Sequence, residues 1–211
     1  MNTAKSKLLE GLSQLNLNLQ AVHIEKLLQF LQLLDKWNQH FNLTSITDSE
    51  KMISHHLLDS LSAAPFIEGN SVLDVGTGAG FPGVPLAILF PHIQWTLLDS
   101  NGKKTRFLTQ AKIELALTNI EVVQARVEYW QPVHLFDVVV TRAVATIKKI
   151  ISQTMHTLSD SGYWLFMKSG NQHEALASLS SPPVIHTIKV PGIAETRYII
   201  AINRSMIKSP F

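Results

Sequence analysis

Hydrophobic positions along this chain follow two periods. Ile24, Leu27, Leu28, Leu31, Leu34 and Trp37 recur every three or four residues, which is one face of an amphipathic helix. A second helical stripe, Ile53, Leu57, Leu61 and Ala64, follows Thr47-Asp-Ser-Glu50, which reads as a capping box, and Pro65 and Gly69 close it. From Ser71 the texture changes, and short apolar runs alternate with helical segments. The pattern predicts strands at 71–75, 94–98, 120–124, 136–141 and 162–167, with helices near 82–90, 103–117, 146–158 and 171–179. Val138-Val139-Val140 is continuous and β-branched, as expected of a strand buried on both sides. Such alternation argues for a parallel sheet covered on both faces. Two further strands, 184–190 and 197–203, are joined only by Pro191-Gly192-Ile193-Ala194-Glu195. So short a link suits an antiparallel pair. The expected organisation is α/β, with a helical extension over residues 1–65 and a sheet domain over 66–211.

Composition sharpens this picture. The 211 residues are 45% hydrophobic and 16% charged, enough for a sizeable core in a globular protein. No apolar run approaches the length of a membrane helix, and the first residues lack the apolar stretch of a signal peptide. The chain has no Cys, so it has no disulfide framework and no thiol nucleophile, and a reducing cytoplasm is the expected location. The net charge is only +2. Any contact with nucleic acid must come from a local basic patch.

The chemistry concentrates in Val72-Leu-Asp-Val-Gly-Thr-Gly-Ala-Gly-Phe-Pro-Gly83. A strand ends here in a glycine turn that leads into a helix, where unpaired N–H groups and the dipole favour a nucleotide cofactor. Gly78-x-Gly80-x-x-Gly83 fits the dinucleotide fingerprint, while Gly76-x-Gly78-x-Gly80 fits the pattern of enzymes that use S-adenosylmethionine (SAM). Asp74 separates the two. A pyrophosphate gains nothing from a carboxylate there, whereas the sulfonium and ammonium of SAM do. Trp95-Thr-Leu-Leu-Asp99 reads as the next strand, and its acid lies 23 residues after Gly76, suited to ribose hydroxyls. Both cofactors carry that ribose, so Asp99 supports the fold without choosing the cofactor.

Five parallel strands followed by an antiparallel pair resemble the seven-stranded class I SAM-dependent methyltransferase fold, a Rossmann-like sheet. Particular stretches narrow the match. They are Trp37-Asn-Gln-His-Phe-Asn-Leu-Thr44, His55-His-Leu-Leu-Asp-Ser60, the glycine loop, Leu97-Leu-Asp-Ser100, Arg106-Phe-Leu108, Ala125-Arg-Val-Glu128 and Thr141-Arg-Ala143. Together they resemble the bacterial small-subunit ribosomal RNA guanine-N7 methyltransferase family, also called glucose-inhibited division protein B, from about Leu28 to the C-terminus. The resemblance implies SAM as methyl donor and 16S rRNA, naked or in a small-subunit particle, as partner. It implies guanine 527, in a conserved loop near the decoding centre, as target. It implies no membrane and no metal. It places Gly76, Phe81, Val127, Glu128 and Arg142 at positions that bind SAM, beside Asp74, Gly78, Gly80 and Asp99 of the loop and second strand. The chain departs from the family at Val144, where an aromatic is usual, at Lys168-Ser-Gly170 in place of Lys-Gly, and at Asn203 in place of a late lysine.

Guanine N7 is unprotonated at neutral pH and the SAM sulfonium is already a good donor. Positioning alone can then supply about 7–11 kcal/mol of the barrier reduction. The sequence agrees by what it lacks. Carbon-5 methylation of pyrimidines commonly needs a Cys, and exocyclic amine methylation an acceptor after the fourth strand. That place holds Thr141-Arg142-Ala143. Arginine only donates hydrogen bonds, so Arg142 is the candidate catalytic residue as an orienting group. Glu128 with Val127 is a candidate for the adenine end. Phe81 is either a core aromatic or a wall of the cofactor site. Adjacent helical His55 and His56 diverge by about 100° and cannot easily share a metal. His55 and Asp59, four apart, are expected to pair, bridging the extension to the sheet. Lys103, Lys104 and Arg106 at a helix start oppose the dipole. With Arg126 and Lys168 they are candidates for RNA phosphate, or they form a solvated face. Two rival readings stand beside this one: an NAD(P)-linked oxidoreductase, and a non-catalytic SAM-binding module associated with RNA.

Overall fold

The computed structural model describes residues 2–142, 145–170 and 179–207. Helices α1 (Asn2–Gln14) and α2 (Ala21–Phe41) come first. The α2 stripe behaves as its periodicity requires: Ile24, Leu27, Leu31 and Leu34 are buried, and Leu28 and Trp37 are partly so. A composite helix follows. It runs as α3 (Ser49–Met52), a π-helical turn (Ile53–Leu58) and α4 (Asp59–Leu61). Its cap is Asp48 rather than Thr47. The Asp48 side chain accepts from Lys51 N at 2.7 Å, since the carboxylate reaches the orphan N–H groups of the first turn.

One seven-stranded sheet carries the rest. Its strands are β1 (Ser71–Val75), β2 (Gln94–Asp99), β3 (Ile120–Gln124), β4 (Phe136–Arg142), β5 (Leu158–Ser169), β6 (Val184–Ile188) and β7 (Arg197–Asn203). They lie in the order β3-β2-β1-β4-β5-β7-β6, with β7 antiparallel to both neighbours and the others parallel. Helices α5 (Gly83–Leu89), α6 (Gly102–Glu114) and α7 (Ile147–Thr154) connect the parallel strands.

The fourth crossover is shorter in helix than the pattern predicts. Thr154 and Thr157 donate to the carbonyls of Ile150 and Thr154, and the helix tightens into a 3-10 turn at Met155–Thr157. Strand β5 therefore begins at Leu158, opposite Phe136, instead of at 162. Of the expected helix at 171–179, residues 171–178 lie outside the described residues, as do Ala143 and Val144.

Two apolar layers enclose the sheet. On one side α1, α2, the composite helix, α5 and α6 share a core with Val72, Trp95, Leu97 and Val138. On the other, Ile147, Ile150 and Ile151 of α7 meet Leu73, Val139, Trp164 and Phe166. The N-terminal helices thus complete one face of the sheet. Among the described residues no helix is long and apolar enough to cross a membrane. The chain reverses its winding direction between β1 and β4, and ligands bind at the strand ends beside such a switch point.

Candidate functional site

The glycine turn leaves β1 at Gly76, whose N–H, with that of Thr77, donates to the carbonyl of Leu98 in β2. Gly78 has φ +63°, and a Cβ built there would meet nothing nearer than Lys104 Nζ at 3.8 Å. Backbone is therefore open to a ligand at Gly78. Gly83 is the opposite case: a Cβ there would collide with Leu97 and stand 2.6 Å from Asp74 Oδ2. Gly83 serves close packing of α5 on the sheet.

Asp74 is fully buried under this turn. Its Oδ2 accepts from Thr77 Oγ1 at 2.7 Å and from Gly83 N at 2.8 Å, and Oδ1 has no partner among the described residues. Burial raises its pKa to about 6. The carboxylate thus braces the loop from beneath, and it takes the N–H at the start of α5 that the sequence offers to a ligand. Asp99 ends β2. Its Oδ2 accepts from Gly78 N at 2.9 Å, its Oδ1 from Asn101 N at 2.8 Å, and Lys104 Nζ lies 3.8 Å away. Past β3, Val127 is buried and Glu128 is exposed, its Oε1 accepting from Gln153 Nε2.

A cleft of about 640 Å³ opens beside the turn, between the composite helix and the ends of β4, β5 and β7. Of the residues singled out from the sequence, Gly76, Gly78, Phe81, Arg142 and Lys168 line it, as do His55, His56 and Asp59. Asp74, Gly80, Asp99, Val127 and Glu128 are not on its wall, nor are Lys103, Lys104, Arg106 and Arg126. Phe81 is a buried core aromatic that also lines the cleft. It packs on Phe30 of α2 with ring centroids 5.3 Å apart, and it also stacks on His56 at 4.3 Å and 12°. The Arg142 guanidinium stands 5.3 Å from the same ring. Such a contact favours the cation.

The expected pairing of His55 with Asp59 is replaced by a stronger one. Asp59 Oδ2 accepts from Arg142 Nη1 at 2.8 Å and Oδ1 from Arg197 Nε at 3.0 Å. Guanidinium–carboxylate bonds are charge-assisted and outcompete an imidazole contact. The bridge from the extension to the sheet exists, but it runs through two arginines. His55 Nδ1 instead meets Ser54 Oγ at 2.9 Å, and His55 gives its carbonyl to Arg142 Nη1 at 2.8 Å. His56 Nε2 meets Thr44 Oγ1 at 2.9 Å. Burial, aided by the Arg142 charge, lowers the His56 pKa to about 4, so this ring is neutral near pH 7.

The remaining cations divide. Lys168 Nζ donates to Ala145 O at 2.7 Å on the cleft wall. Asn101 caps α6 through Lys103 N, Arg106 Nε bonds Gly102 O, and Lys104 faces Asp99, which answers part of the unfavourable dipole. Lys103, Arg106 and Arg126 are exposed. Among the described residues no three His, Asp or Glu groups gather as metal ligands. Sequence reasoning missed Arg197, Thr44 and the π-helical turn. Arg197 opens the last strand with no motif around it, and only the register Ser169↔Arg197 brings it beside the cleft.

The chemistry of the cleft's donors suits the methionine end of SAM. It offers open loop backbone at Gly78 and guanidinium groups for a carboxylate, while Asp99, the acid of β2, lies off its wall behind Gly78. Comparisons with known proteins give the family and the fold. Residues 23–197 match the family model described as rRNA small subunit methyltransferase G. The curated ribosomal RNA small subunit methyltransferase G of Coxiella burnetii is 42% identical over 199 residues, covering 94% of this chain and 98% of that protein. The Pseudomonas aeruginosa protein of the same name is 46% identical over 203 residues, covering 94% and 95%. Among solved structures, a SAM-dependent methyltransferase from Aquifex aeolicus aligns with TM-score 0.56 at 15% identity, covering 76% of this chain and 96% of that one. M. jannaschii TYW2 in complex with AdoMet aligns with TM-score 0.55 at 16% identity, covering 70% and 74%. Likeness at that identity shows the fold.

Proposed function

This chain belongs to the rRNA small subunit methyltransferase G family, and we propose that it transfers a methyl group from SAM to N7 of one guanine in 16S rRNA. The family overturns the dinucleotide oxidoreductase reading, whose fingerprint was the literal spacing of Gly78 and Gly83. The observation that carries the N7 proposal is the cleft end of β4. An amine-methylating enzyme needs an acceptor at this place, and this chain holds Arg142. The nearest carboxylate, Asp59, already accepts from two guanidiniums. Two imidazoles line the cleft: His56 has its Nε2 on Thr44 and its ring stacked on Phe81, and His55 has its Nδ1 on Ser54 Oγ. With no Cys in the chain, a thiol adduct of a pyrimidine is excluded.

Bound SAM supplies an electrophilic methyl group on a sulfonium. The protein's part is to hold the acceptor nitrogen in line with it. Gly76 and Gly78 give backbone approach, and Asp99 takes the ribose hydroxyls at the end of β2. Val127 and Glu128 receive the adenine at the end of β3. Asp74 keeps the turn in shape from below. Phe81 walls the site, and Arg142, lying across its ring, orients the guanine through O6 or holds the methionine carboxylate. Lys103, Lys104, Arg106, Arg126 and Lys168 hold RNA phosphate around the strand ends, and the enzyme works in the bacterial cytoplasm. Lost positioning by one charged hydrogen bond corresponds to about 1.5–3 kcal/mol.

The test is methyl transfer from labelled SAM to 16S rRNA and to small-subunit particles, followed by digestion and identification of the labelled nucleoside. Label in 7-methylguanosine at a single site supports the proposal. Label in an N2-methylguanosine or a pyrimidine contradicts the N7 assignment. SAM binding without transfer to either substrate restores the non-catalytic module.

A further inference from the structure

Asp59 joins three parts of the fold that are far apart in sequence. It lies at the junction of the π-helical turn and α4, while its partners Arg142 and Arg197 end β4 and begin β7. The separations are 83 and 138 residues. Its side chain is almost fully buried, and all three residues line the same cleft. One carboxylate thus stands between two guanidiniums. Glu195 reaches Arg197 Nη1 at 3.0 Å from solvent, whereas among the described residues the carboxylate paired with Arg142 is that of Asp59.

We propose that Asp59 is a positioning residue: it fixes the Arg142 and Arg197 guanidiniums in the cleft, and thereby sets the geometry of methyl transfer without touching the reacting atoms. This rests on the methyltransferase reading above. Three features distinguish the group from an ion pair that only pins the fold. The carboxylate takes one bond from each arginine, through Nη1 of one and Nε of the other, so one group ties both guanidiniums to the same point of the cleft. Arg142 Nη1 is held a second time by the carbonyl of His55, a residue of the π-helical turn. Such turns recur at functional sites because they redirect backbone groups. The Arg142 guanidinium is further held over Phe81, itself stacked on His56. Each restraint acts on the arginine nearest the glycine loop. A planar fork restrained on three sides is pre-organised, and pre-organisation at the strand ends is what a positioning mechanism requires.

Removing a partner from a buried ion pair leaves an uncompensated charge, so the test begins with Asp59→Asn, which keeps size and an acceptor oxygen. The rate of single-turnover methyl transfer to 16S rRNA is measured at saturating SAM and RNA, together with the thermal midpoint, in wild type, Asp59→Asn, Arg142→Ala and the double variant. The expected result is a loss of about 10–100-fold in Asp59→Asn, and a further change of less than about threefold when the same substitution is added to Arg142→Ala. Residues that act as one unit are non-additive in this way. Independently of activity, the Arg197 Nε–H signal in NMR should exchange slowly with water in wild type and fast in Asp59→Asn. A wild-type rate in Asp59→Asn, or a full multiplicative loss in the double variant, overturns the proposal. Should Asp59→Asn fail to fold, Asp59→Glu serves: it keeps the charge but moves it by one methylene. A rate loss at unchanged thermal midpoint supports positioning, and a midpoint loss at unchanged rate contradicts it. If wild type itself transfers no methyl to any rRNA, the function fails, whereas the exchange of the Arg197 Nε–H still reports on the clamp.

Discussion

The two halves of the site are built in different ways. The glycine-turn half is local: β1, the glycine turn and the start of α5 lie within residues 71–89, and Asp74 braces them by bonds to Thr77 and Gly83. The other half is assembled from distance. Its cleft needs the N-terminal helices, the end of β4 and the start of β7, tied by Asp59, Arg142 and Arg197. A local site depends on backbone conformation, and a composite one depends on charge pairs between elements. Substitutions in the two halves should therefore fail differently.

The largest effect is expected at Gly78. Gly78→Val adds a β-branched side chain at φ +63° where backbone must approach the ligand. SAM binding by calorimetry should be lost, with a stability cost of about 1–2 kcal/mol for the left-handed conformation. Gly83→Val is the contrasting variant, because its Cβ strikes Leu97 and Asp74 inside the protein. It should lower the thermal midpoint far more than Gly78→Val does. If the two behave alike, the division of the loop into an open and a packed glycine is wrong.

Next comes Arg142, on the composite side. Arg142→Ala should retain SAM binding to within about tenfold while losing about one to two decades of single-turnover rate. Arg142→Lys should recover only part, since an ammonium cannot hold Asp59 and the His55 carbonyl in one plane. Full activity in Arg142→Ala would refute its role.

A smaller effect separates the halves by pH. The His56 pKa in the folded protein is about 4, against 6.5 unfolded. As pH falls through that window the unfolded chain takes up a proton that the folded protein refuses, so stability is lost. Asp74 has the opposite sign. Its pKa rises from 3.8 to about 6, so the folded protein binds the extra proton and gains stability as pH falls from about 6 to 3.8. In His56→Gln the first process is gone. The stability gap between wild type and this variant should narrow from pH 7 to pH 4, by up to about 3 kcal/mol in urea melts. A gap that stays constant would mean that the imidazole is not desolvated as described.

The same division explains what could be read from the sequence. The glycine turn was legible because its residues are contiguous and follow a strand, and so were the strands and the antiparallel pair, from run lengths and the short link at 191–195, whereas the order of the strands in the sheet came only with the structure. The amphipathic face of α2 was legible from spacing, although its role as a cover for the sheet came only with packing. Arg197 was not legible, because an arginine at a strand start carries no pattern, and its distance of 138 residues from Asp59 hides the pair. The π-helical turn was invisible too, since its apolar stripe at Ile53, Leu57 and Leu61 reads as an ordinary helix. The His55–Asp59 pairing failed for a related reason. Spacing proposes neighbours on one helix, but two guanidiniums from other elements bind a carboxylate more strongly.

Both halves serve the proposal that this protein accelerates methyl transfer by positioning, without a general base. The pKa values near the cleft that depart from their ordinary range lie at about 4 for His56 and about 6 for Asp74, below the working window. The deciding measurement is the single-turnover rate of wild-type methyl transfer against pH, with chemistry shown to be rate-limiting. The account predicts a flat profile between about pH 6.5 and 8.5. A steep rise through a single ionisation inside that window would reveal a general base and contradict it.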